Sequence, residues 1–291
     1  MTRGAQRQLR IGLTDPRGPF ARQVREAFHE SPISVSRFVS LGPPDHEGEL
    51  SQIDGEAEVL QAPGRETIGD LDFLILAGSS VDADCRAQAA AAGIPVFDLE
   101  RDPSASEGCA AVLSACDSLP TSASFTILIP ASEAGAGGVE ELFEQAGASL
   151  NFRPPDVAVF SARLAFNVFR DPATESLDAA VRASLERRFA PCRISATCTR
   201  IAVFHGYAAS ASLRFGSEAL AKDAIRRIGS SPEISLGDRP GAASAASAVE
   251  ERRVLLDPPM HRAEHVSLWI AFDGLARSAA SALEAASRLL G

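Results

Sequence analysis

The chain has 291 residues, of which 45% are hydrophobic and 23% charged, an ordinary globular balance for a chain long enough to form two domains. Its 38 acidic residues outnumber its 28 basic ones and give a formal net charge of −10, which argues against nucleic acid as the main partner because phosphate binding needs an excess of basic side chains. No segment approaches 18 continuous apolar residues and the first residues lack the apolar core of a signal peptide, so neither a membrane span nor secretion is expected.

The cysteines and histidines predict neither disulfides nor a metal site. The five cysteines form no C-x-x-C pair, and the five histidines do not cluster with them. An odd number of dispersed cysteines in a long chain is typical of reduced thiols in the cytoplasm. The chain also has a single lysine, Lys222, so any role that requires a lysine amine falls to that residue.

The first hundred residues alternate between strand and helix patterns. Strands are predicted over residues 9–13, 33–41, 59–62, 71–77 and 94–99, and helices over 20–29 and 82–92. The run at 71–77 is apolar on both faces, as in a buried parallel strand. This alternation predicts a parallel sheet with right-handed crossovers, and therefore a Rossmann-like first domain.

From residue 125 the pattern changes to a looser mixture of strands and helices. Strands are predicted over residues 125–129, 195–204, 209–215, 254–256 and 265–272, and helices over 135–146, 177–189, 219–228 and 275–290. The stretch 237–247 has few bulky side chains and is predicted to be a mobile loop. This order favours a second domain of the α+β class.

The turn after the first strand is where a dinucleotide would lie, with its phosphates at the N-terminus of the next helix. It offers Gly12, Thr14 and Gly18, but no full G-x-G-x-x-G. Asp15 stands where a glycine normally lets pyrophosphate approach, and two prolines remove backbone N–H donors. The residues alone leave two interpretations open, a nucleotide site and a simple turn of the fold.

A cysteine and a cluster of strand residues are candidates for acyl chemistry. Cys109 lies where a helix is predicted to begin, and a helix N-terminus favours the thiolate nucleophile. Arg200 and Tyr207 bracket the segment RIAVFHGY, which leads from one predicted strand to the next, and His205 and Tyr207 share a face if the chain stays extended and Gly206 does not bulge it. A histidine and an arginine near a thiol would suit an anionic substrate. The alternative is a buried small cysteine and ordinary residues at a sheet end.

Several segments, in the right order along the chain, together resemble the aspartate-semialdehyde dehydrogenase family. RIAVFHGYAASASLRF at 200–215 is similar to the family's R-V-P-V-x-x-G-H-S-x-A-V, and VSLWIAFDGLARSAA at 266–280 is similar to its L-x-L-W-I-V-x-D-N-L-R-K-G-A-A. AGAGGVEEL at 134–142 and AFNV at 165–168 match two further motifs. The opening G-x-T-x-x-x-G and AGSSV at 77–81 fit the family's cofactor domain.

The resemblance implies a fold, a cofactor and a partner. A Rossmann-like domain would comprise residues 1–124 and 270–291, with the last helix returning to it, and an α+β dimerisation domain would comprise residues 125–269. Family members use NADPH to reduce β-aspartyl phosphate to the semialdehyde and pair through the second-domain sheet. The resemblance therefore implies a homodimer, a small anionic metabolite as substrate, and an NADP site at Gly12, Thr14, Gly18, Ala77 and Gly78.

The catalytic residues that the resemblance assigns depart from the family pattern. Cys109 falls at the nucleophile's place and Arg200 at the substrate arginine's, but Tyr207 replaces the family's histidine, with His205 two positions earlier as a substitute. Glu107 beside the cysteine would raise its pKa, and a glutamine and a lysine of the family site are absent. We therefore expect a homologue with little or no parent activity. Two alternatives stay open, an NAD(P)-dependent acylating aldehyde dehydrogenase that uses Cys109 and a non-catalytic dimeric scaffold or binding protein.

Overall fold

The computed structural model describes residues 8–53 and 56–290. The chain divides into two compact units: the first runs to Glu100 and resumes at Ser278, and the second is Arg101–Arg277. The division into a Rossmann-like domain of residues 1–124 and 270–291 and a dimerisation domain of residues 125–269 stays a prediction. No helix in the described ranges is long and apolar enough to cross a membrane.

The first unit is built on a parallel sheet, as predicted. Its elements in chain order are β1 (Leu9–Thr14), α1 (Pro19–His29), β2 (Val35–Leu41), β3 (Leu50–Ile53), β4 (Glu56–Val59), α2 (Arg65–Gly69), β5 (Phe73–Leu76), α3 (Asp82–Ala92) and β6 (Val96–Asp98). Four strands form the sheet in the order β2-β1-β5-β6, all pairs parallel. All four side chains of β5 are buried, as expected for one of the two inner strands of a parallel sheet that is covered on both faces.

The second unit is built on a mixed eight-stranded sheet. Its elements in chain order are α4 (Glu107–Ser114), β7 (Ser122–Ile129), α5 (Gly135–Leu150), β8 (Val168–Phe169), α6 (Thr174–Arg188), β9 (Arg193–Ile201), β10 (Tyr207–Arg214), α7 (Glu218–Ser230), β11 (Ile234–Leu236), β12 (Val254–Leu256), β13 (Met260–Arg262) and β14 (His265–Phe272). The order is β11-β12-β14-β10-β7-β9-β8, and β13 pairs with the outer part of β14. The final helix, α8 (Gly274–Ser287), begins in this unit, and its residues from Ser278 belong to the first.

The two faces of the large sheet differ in character. One face forms the main hydrophobic core with side chains from α4, α6 and α7. The other face has two parts, because alternate residues of a strand point to opposite sides: one part is a small apolar cluster that packs against Ala243 and Ala248, and the other carries small polar side chains. On β10, for example, Ala211 and Leu213 are buried in the core while Ser210 and Ser212 are exposed. These two serines are therefore open to solvent in the described part of the chain.

The segment predicted as a mobile loop, 237–247, is irregular but tied to the sheet. The Asp257 carboxylate accepts hydrogen bonds from the amides of Gly241 and Ala243 at 2.7 and 2.8 Å. The Ala243 carbonyl in turn accepts a 3.0 Å bond from the indole of Trp269 on β14. These three bonds hold the segment, whose end enters a short 3₁₀ turn, Ala246–Ala248.

Candidate functional site

In the first unit, the cofactor residues predicted at the ends of β1 and β5 lie side by side. The buried Thr14 hydroxyl oxygen accepts a 2.8 Å hydrogen bond from the Ala77 amide and also bonds the Asp82 carboxylate. The Gly78 amide donates a 2.8 Å hydrogen bond to Oδ2 of the same Asp82 carboxylate. Two amides that could face a cofactor phosphate are therefore already bonded to side chains of the chain itself.

Asp15 lies directly against the N-terminus of α1. Its backbone has φ of 45°, the left-handed region that favours glycine, and its carbonyl accepts a 2.9 Å bond from the Gly18 amide. The carboxylate folds over Gly18 so closely that a Cβ on Gly18 would overlap it. Burial raises the pKa of Asp15 to about 6, partly offset by the Arg17 guanidinium, and Asp82 adds to the rise. At neutral pH a negative charge therefore stands at this helix end.

The geometry of the turn does not fit a pyrophosphate. A phosphate group would need the N-terminal amides of α1, where Asp15 already lies and where Pro19 at the start of the helix has no N–H to offer. Gly12 is a packing residue, because a Cβ there would overlap a methyl group of Leu71. Gly78 has φ of 85° with open space around its would-be Cβ. Of the predicted cofactor residues, Gly78 alone keeps the exposed, glycine-specific geometry of a ligand turn.

In the second unit, Tyr207 forms the centre of the predicted catalytic cluster. It is the first residue of β10 and is fully buried, with its hydroxyl donating to the carboxylate of Glu133. Its ring stacks on Phe272 across the β10–β14 pair, with 5.3 Å between centroids. Gly274 approaches the same ring so closely that a Cβ there would lie 2.6 Å from it. Burial and the neighbouring Glu133 carboxylate raise the pKa of Tyr207 well above 10.

Glu133 lies in a short 3₁₀ turn, Ala131–Ala134, between β7 and α5. The turn is fixed to the β9–β10 connection by two backbone hydrogen bonds, from Ala131 N to the Val203 carbonyl at 2.8 Å and from Ser132 N to the Phe204 carbonyl at 3.1 Å. Burial raises the pKa of Glu133, and the Tyr207 hydroxyl and the Arg200 charge oppose that rise. The carboxylate therefore accepts the hydroxyl hydrogen of Tyr207 on β10 and feels the positive charge of Arg200 on β9.

Arg200 lies near the end of β9 with 7% of its surface exposed. Its guanidinium carbon lies 5.2 Å from the centre of the Phe160 ring, a cation–π contact. Two of its nitrogens, Nε and Nη1, are buried without a hydrogen-bond partner in the described chain. A buried guanidinium with unused donors is an unusual arrangement, since buried polar groups are nearly always bonded.

Cys109 is completely buried in the main core, three residues into α4. Burial raises the pKa of its thiol well above the usual value, and the nearby Glu107 carboxylate adds to the rise. Glu107 is itself buried and pairs with the Arg188 guanidinium at 3.2 Å. At the preceding position, a Cβ on Gly108 would overlap the Phe272 ring. The thiolate that a helix N-terminus would favour is thus opposed by its surroundings.

His205 and Tyr207 do not share a strand face. Gly206 between them has φ of 82°, and a Cβ there would overlap the Ala245 carbonyl oxygen. His205 therefore lies half-buried in the turn that precedes β10. Among the described residues it forms no hydrogen bond with Tyr207, Glu133 or Arg200. The condition under which it was expected to assist Tyr207, an unbulged strand, is not met.

The second unit thus brings the carboxylate of Glu133 to the hydroxyl of Tyr207, within the electrostatic influence of Arg200, and Cys109 packs in the main core. Sequence reasoning missed Glu133, the partner of Tyr207. A signal was present, because Glu133 is the one charged residue in the segment 129–138, directly before the AGAGG run.

Chemically, this cluster is better suited to holding an anion than to moving a proton. Tyr207 is protonated at neutral pH and already donates to Glu133, so it is a poor general base. The Cys109 thiol is protonated for the same reason of burial, and a thiol is a weak nucleophile. Arg200 keeps unused donors, and a guanidinium is suited to carboxylate or phosphate.

Comparison with known proteins gives a family match and a shared fold. The family described as "Semialdehyde dehydrogenase, dimerisation domain" matches residues 118–273. Aspartate semialdehyde dehydrogenase II from Vibrio cholerae, complexed with ASA, superposes with a TM-score of 0.78 at 19% identity over 97% of this chain and 99% of its own. A probable aspartate-semialdehyde dehydrogenase from Pseudomonas aeruginosa gives 0.77 at 17% identity over 97% and 98%. The enzyme from Francisella tularensis gives 0.73 at 10% over 95% and 100%. No curated protein matches the sequence.

Proposed function

The chain belongs to the semialdehyde dehydrogenase family, and from that premise we propose that it is an aspartate-semialdehyde dehydrogenase-like protein with little or none of the parent activity. The observation that carries the proposal is the hydrogen bond from Tyr207 to Glu133. The family pattern has a histidine where Tyr207 stands, and the bond gives this tyrosine a structural partner. Loss of a general base alone commonly lowers a rate by about 10²–10⁴-fold.

The surroundings of Cys109 support the same proposal. A thioester-forming cysteine needs a thiolate within reach of substrate, and this thiol is fully buried with a raised pKa. The closed packing of Phe272 on Gly108 leaves no space beside α4 at that point.

The first unit supports weak or absent NADP binding. The Asp15 carboxylate lies where a cofactor phosphate would approach α1, and the Ala77 and Gly78 amides are bonded internally. We propose that NADP binding is impaired in this chain. With both the base and the phosphate contacts changed, the parent reaction loses two independent contributions.

The proposal is tested by assaying the purified chain with aspartate semialdehyde, inorganic phosphate and NADP. We expect no turnover above the rate without protein. NADP-dependent turnover that Cys109→Ala abolishes, and that Cys116→Ala leaves intact, would overturn the proposal. Cys116 is a matched control because its thiol is also buried and it lies just beyond the C-terminal end of α4, which carries Cys109.

A second candidate function is the binding of a small anion without catalysis. The specific observation is the pair of unused, buried donors on Arg200. A carboxylate or phosphate monoanion would satisfy them and would pair with a cation already buried. Calorimetric titration with aspartate and with inorganic phosphate tests this candidate, and Arg200→Lys is the control, since lysine keeps the charge and loses the planar donor set.

We further propose a homodimer in the cytoplasm. The matched family segment is a dimerisation domain, and we assign pairing to the exposed, serine-bearing part of the large sheet's second face, as the resemblance implies. All five cysteines are free thiols, which supports a reducing compartment.

A further inference from the structure

The first unit has an open cavity at the outer edge of its parallel sheet. It lies between the C-terminal half of α1, the edge strand β2 and strand β4, and its volume is about 560 Å³. A cavity of roughly 300–1,000 Å³ is large enough for a small molecule. None of the five predicted cofactor residues lines it. The cavity is therefore separate from the predicted cofactor site.

One wall of the cavity is a network of polar side chains. The Arg25 guanidinium donates to both carboxylate oxygens of Glu58, at 2.6 and 2.9 Å, and to the Ser40 hydroxyl oxygen at 3.2 Å. The Ser40 hydroxyl donates to the same carboxylate. Only 12% of the Arg25 side chain and 20% of the Glu58 side chain are exposed. Because a bidentate arginine–carboxylate pair has one preferred geometry, this wall is preorganised and the Glu58 charge is already matched.

A second wall of the cavity is apolar. The centre of the Phe38 ring lies 4.9 Å from the Arg25 guanidinium carbon, and this ring packs edge-on against Phe28 with 5.9 Å between the ring centres. Contacts on two sides therefore fix the position of the Phe38 ring. The other apolar lining residues are Ile33, Val35, Ala57 and Val59. Apolar walls with a small number of fixed polar groups are typical of small-molecule sites.

The positive charge of the lining exceeds its negative charge. Besides Arg25, the lining includes Arg37 on β2 and His29 in the last turn of α1, and both are exposed. Glu58, the single acidic residue of the lining, is matched by Arg25, whereas the ion pairs among the described residues include neither of the two exposed basic side chains. Protonated His29 also offsets the partial negative charge at the end of the helix. A positive cavity in a chain with a net charge of −10 points to an anionic ligand.

A ligand at the outer edge of β2 reaches side chains from both faces of the sheet. Arg37 and Phe38 are neighbours on the strand, so their side chains point to opposite faces, yet both line the cavity. The Ser40 carbonyl accepts a 2.9 Å bond from the Gln61 amide, so the main-chain groups of Ser40 point away from β1. Those of Phe38, two residues earlier, point to the same side. The Phe38 N–H is therefore a backbone donor at the open edge of the strand.

We propose that the cavity binds a small carboxylate that has an aromatic or apolar body. The carboxylate lies toward Arg37, because the planar paired donors of a guanidinium match its two oxygens. The body lies against Phe38 and the apolar wall. A neutral molecule leaves the Arg37 charge unused and an inorganic anion leaves the apolar wall exposed, so charge and apolar wall together define the class of ligand. The inference goes beyond the proposed function and uses none of the residues on which that function depends.

Ligand-detected NMR titration of the whole chain tests the class of ligand with three probes. Phenylpropionate has the carboxylate and the ring, phenylpropanamide lacks the charge, and propionate lacks the ring. We expect phenylpropionate to bind at least about tenfold more tightly than either of the others, because each of them loses one of the two contributions. Equal affinities for the three probes, or no binding of phenylpropionate, contradict the proposal.

Two pairs of variants place the ligand in the cavity. Arg37→Gln removes the exposed guanidinium and should weaken phenylpropionate binding about tenfold. Arg22→Gln makes the same change in net charge at an exposed position of α1 that does not line the cavity, and should leave the affinity unchanged. Val59→Glu adds a negative charge to the lining and should also weaken binding about tenfold. Leu220→Glu, on α7 of the second unit, is its control and should have no effect.

The outcomes decide whether this cavity is the binding site. Each of the four substituted side chains is exposed, so the fold should tolerate the changes, and unchanged thermal unfolding checks this. Equal weakening by Arg37→Gln and Arg22→Gln shows a general effect of charge and overturns the site. Full affinity in Arg37→Gln or in Val59→Glu places the probe elsewhere and overturns it as well. Neither result bears on the loss of catalysis, which the turnover assay decides.

Discussion

Two regions of the molecule each hold a carboxylate of the chain where the family resemblance leads us to expect room for a ligand. In the first unit Asp15 lies over the N-terminus of α1 on a left-handed backbone. In the second unit Glu133 accepts the hydroxyl hydrogen of a fully buried tyrosine. The Asp15 carboxylate obstructs the helix end beside it, whereas the Glu133 carboxylate makes a structural hydrogen bond.

The difference lies in what each carboxylate does for its surroundings. Tyr207 depends on Glu133, because its buried hydroxyl donates to that carboxylate. The Asp15 side chain folds over Gly18, in a backbone conformation that glycine would adopt without strain. The comparison teaches that removing Asp15 should open a site, whereas removing the Glu133 contact should destabilise a core.

The largest effect is expected from Tyr207→Ala. The variant leaves a cavity beside Phe272 and Gly274 in the main core, and large-to-small changes of buried aromatics cost about 3–5 kcal/mol in the free energy of unfolding. Urea denaturation measures it. Asp15→Ala, measured in parallel, should change the free energy by less than about 1 kcal/mol. Equal losses for the two variants would remove the distinction between the regions.

A smaller loss is expected when only the hydroxyl is removed. Tyr207→Phe leaves the Glu133 carboxylate without its donor and should cost about 1–3 kcal/mol in the free energy of unfolding. In the double variant Tyr207→Phe with Glu133→Leu, both polar partners are gone, and most of that loss should return. Additive losses in the double variant, measured by the same denaturation, would show that the two groups are not coupled.

In the first unit the expected change is a gain in binding. Asp15→Asn removes the charge and keeps the size and the tolerance of left-handed backbone, so NADP affinity should rise about tenfold, equivalent to roughly 1.4 kcal/mol. Isothermal calorimetry checks this, with Asp15→Glu as the variant that keeps the charge and should show no gain. If asparagine and glutamate give the same affinity, charge is not what limits binding.

The smallest effect is a pH dependence of stability. Because the pKa of Asp15 is raised to about 6 in the folded chain, its folded state binds the proton more tightly than the unfolded state does. The stabilisation of the fold by the protonated Asp15 carboxyl is full below about pH 4 and is lost as the pH rises through 6. Asp15→Asn should therefore raise the melting temperature above that of the wild type more at pH 7 than at pH 4.5. The two increases should differ by about 1–3 °C. A variant whose melting curve follows the wild type at both pH values contradicts the shift.

Elements with strong local patterns were predictable from the sequence. The helix at 82–92 and the strands at 254–256 and 265–272 have the predicted bounds, and Gly93 closes its helix in the left-handed conformation, with φ of 71°. Hydrophobic periodicity and a glycine at the C-terminal end of a helix are patterns among neighbouring residues, so a single sequence is enough to predict the elements that they mark. The parallel first sheet and the α+β class of the second unit were predicted from the same patterns.

What depends on distant residues was not predictable. Glu133 is 74 positions from Tyr207 along the chain, and only the backbone bonds between the 3₁₀ turn and the β9–β10 connection bring them together. The short elements α2, β8 and the β3–β4 hairpin were missed because they have few residues and weak patterns. His205 failed for a similar reason, since the conformation of Gly206 depends on its packing against Ala245.

The single lysine also has a practical consequence. Lys222 lies on α7, pairs with Glu218 at 2.7 Å and keeps 59% of its side chain exposed. An amine-reactive dye or resin will therefore couple to one side chain at a known place on the second unit, apart from the chain's terminal amine. Molecules attached through Lys222 would share one orientation on a surface, so this residue provides a defined attachment point for force or fluorescence measurements.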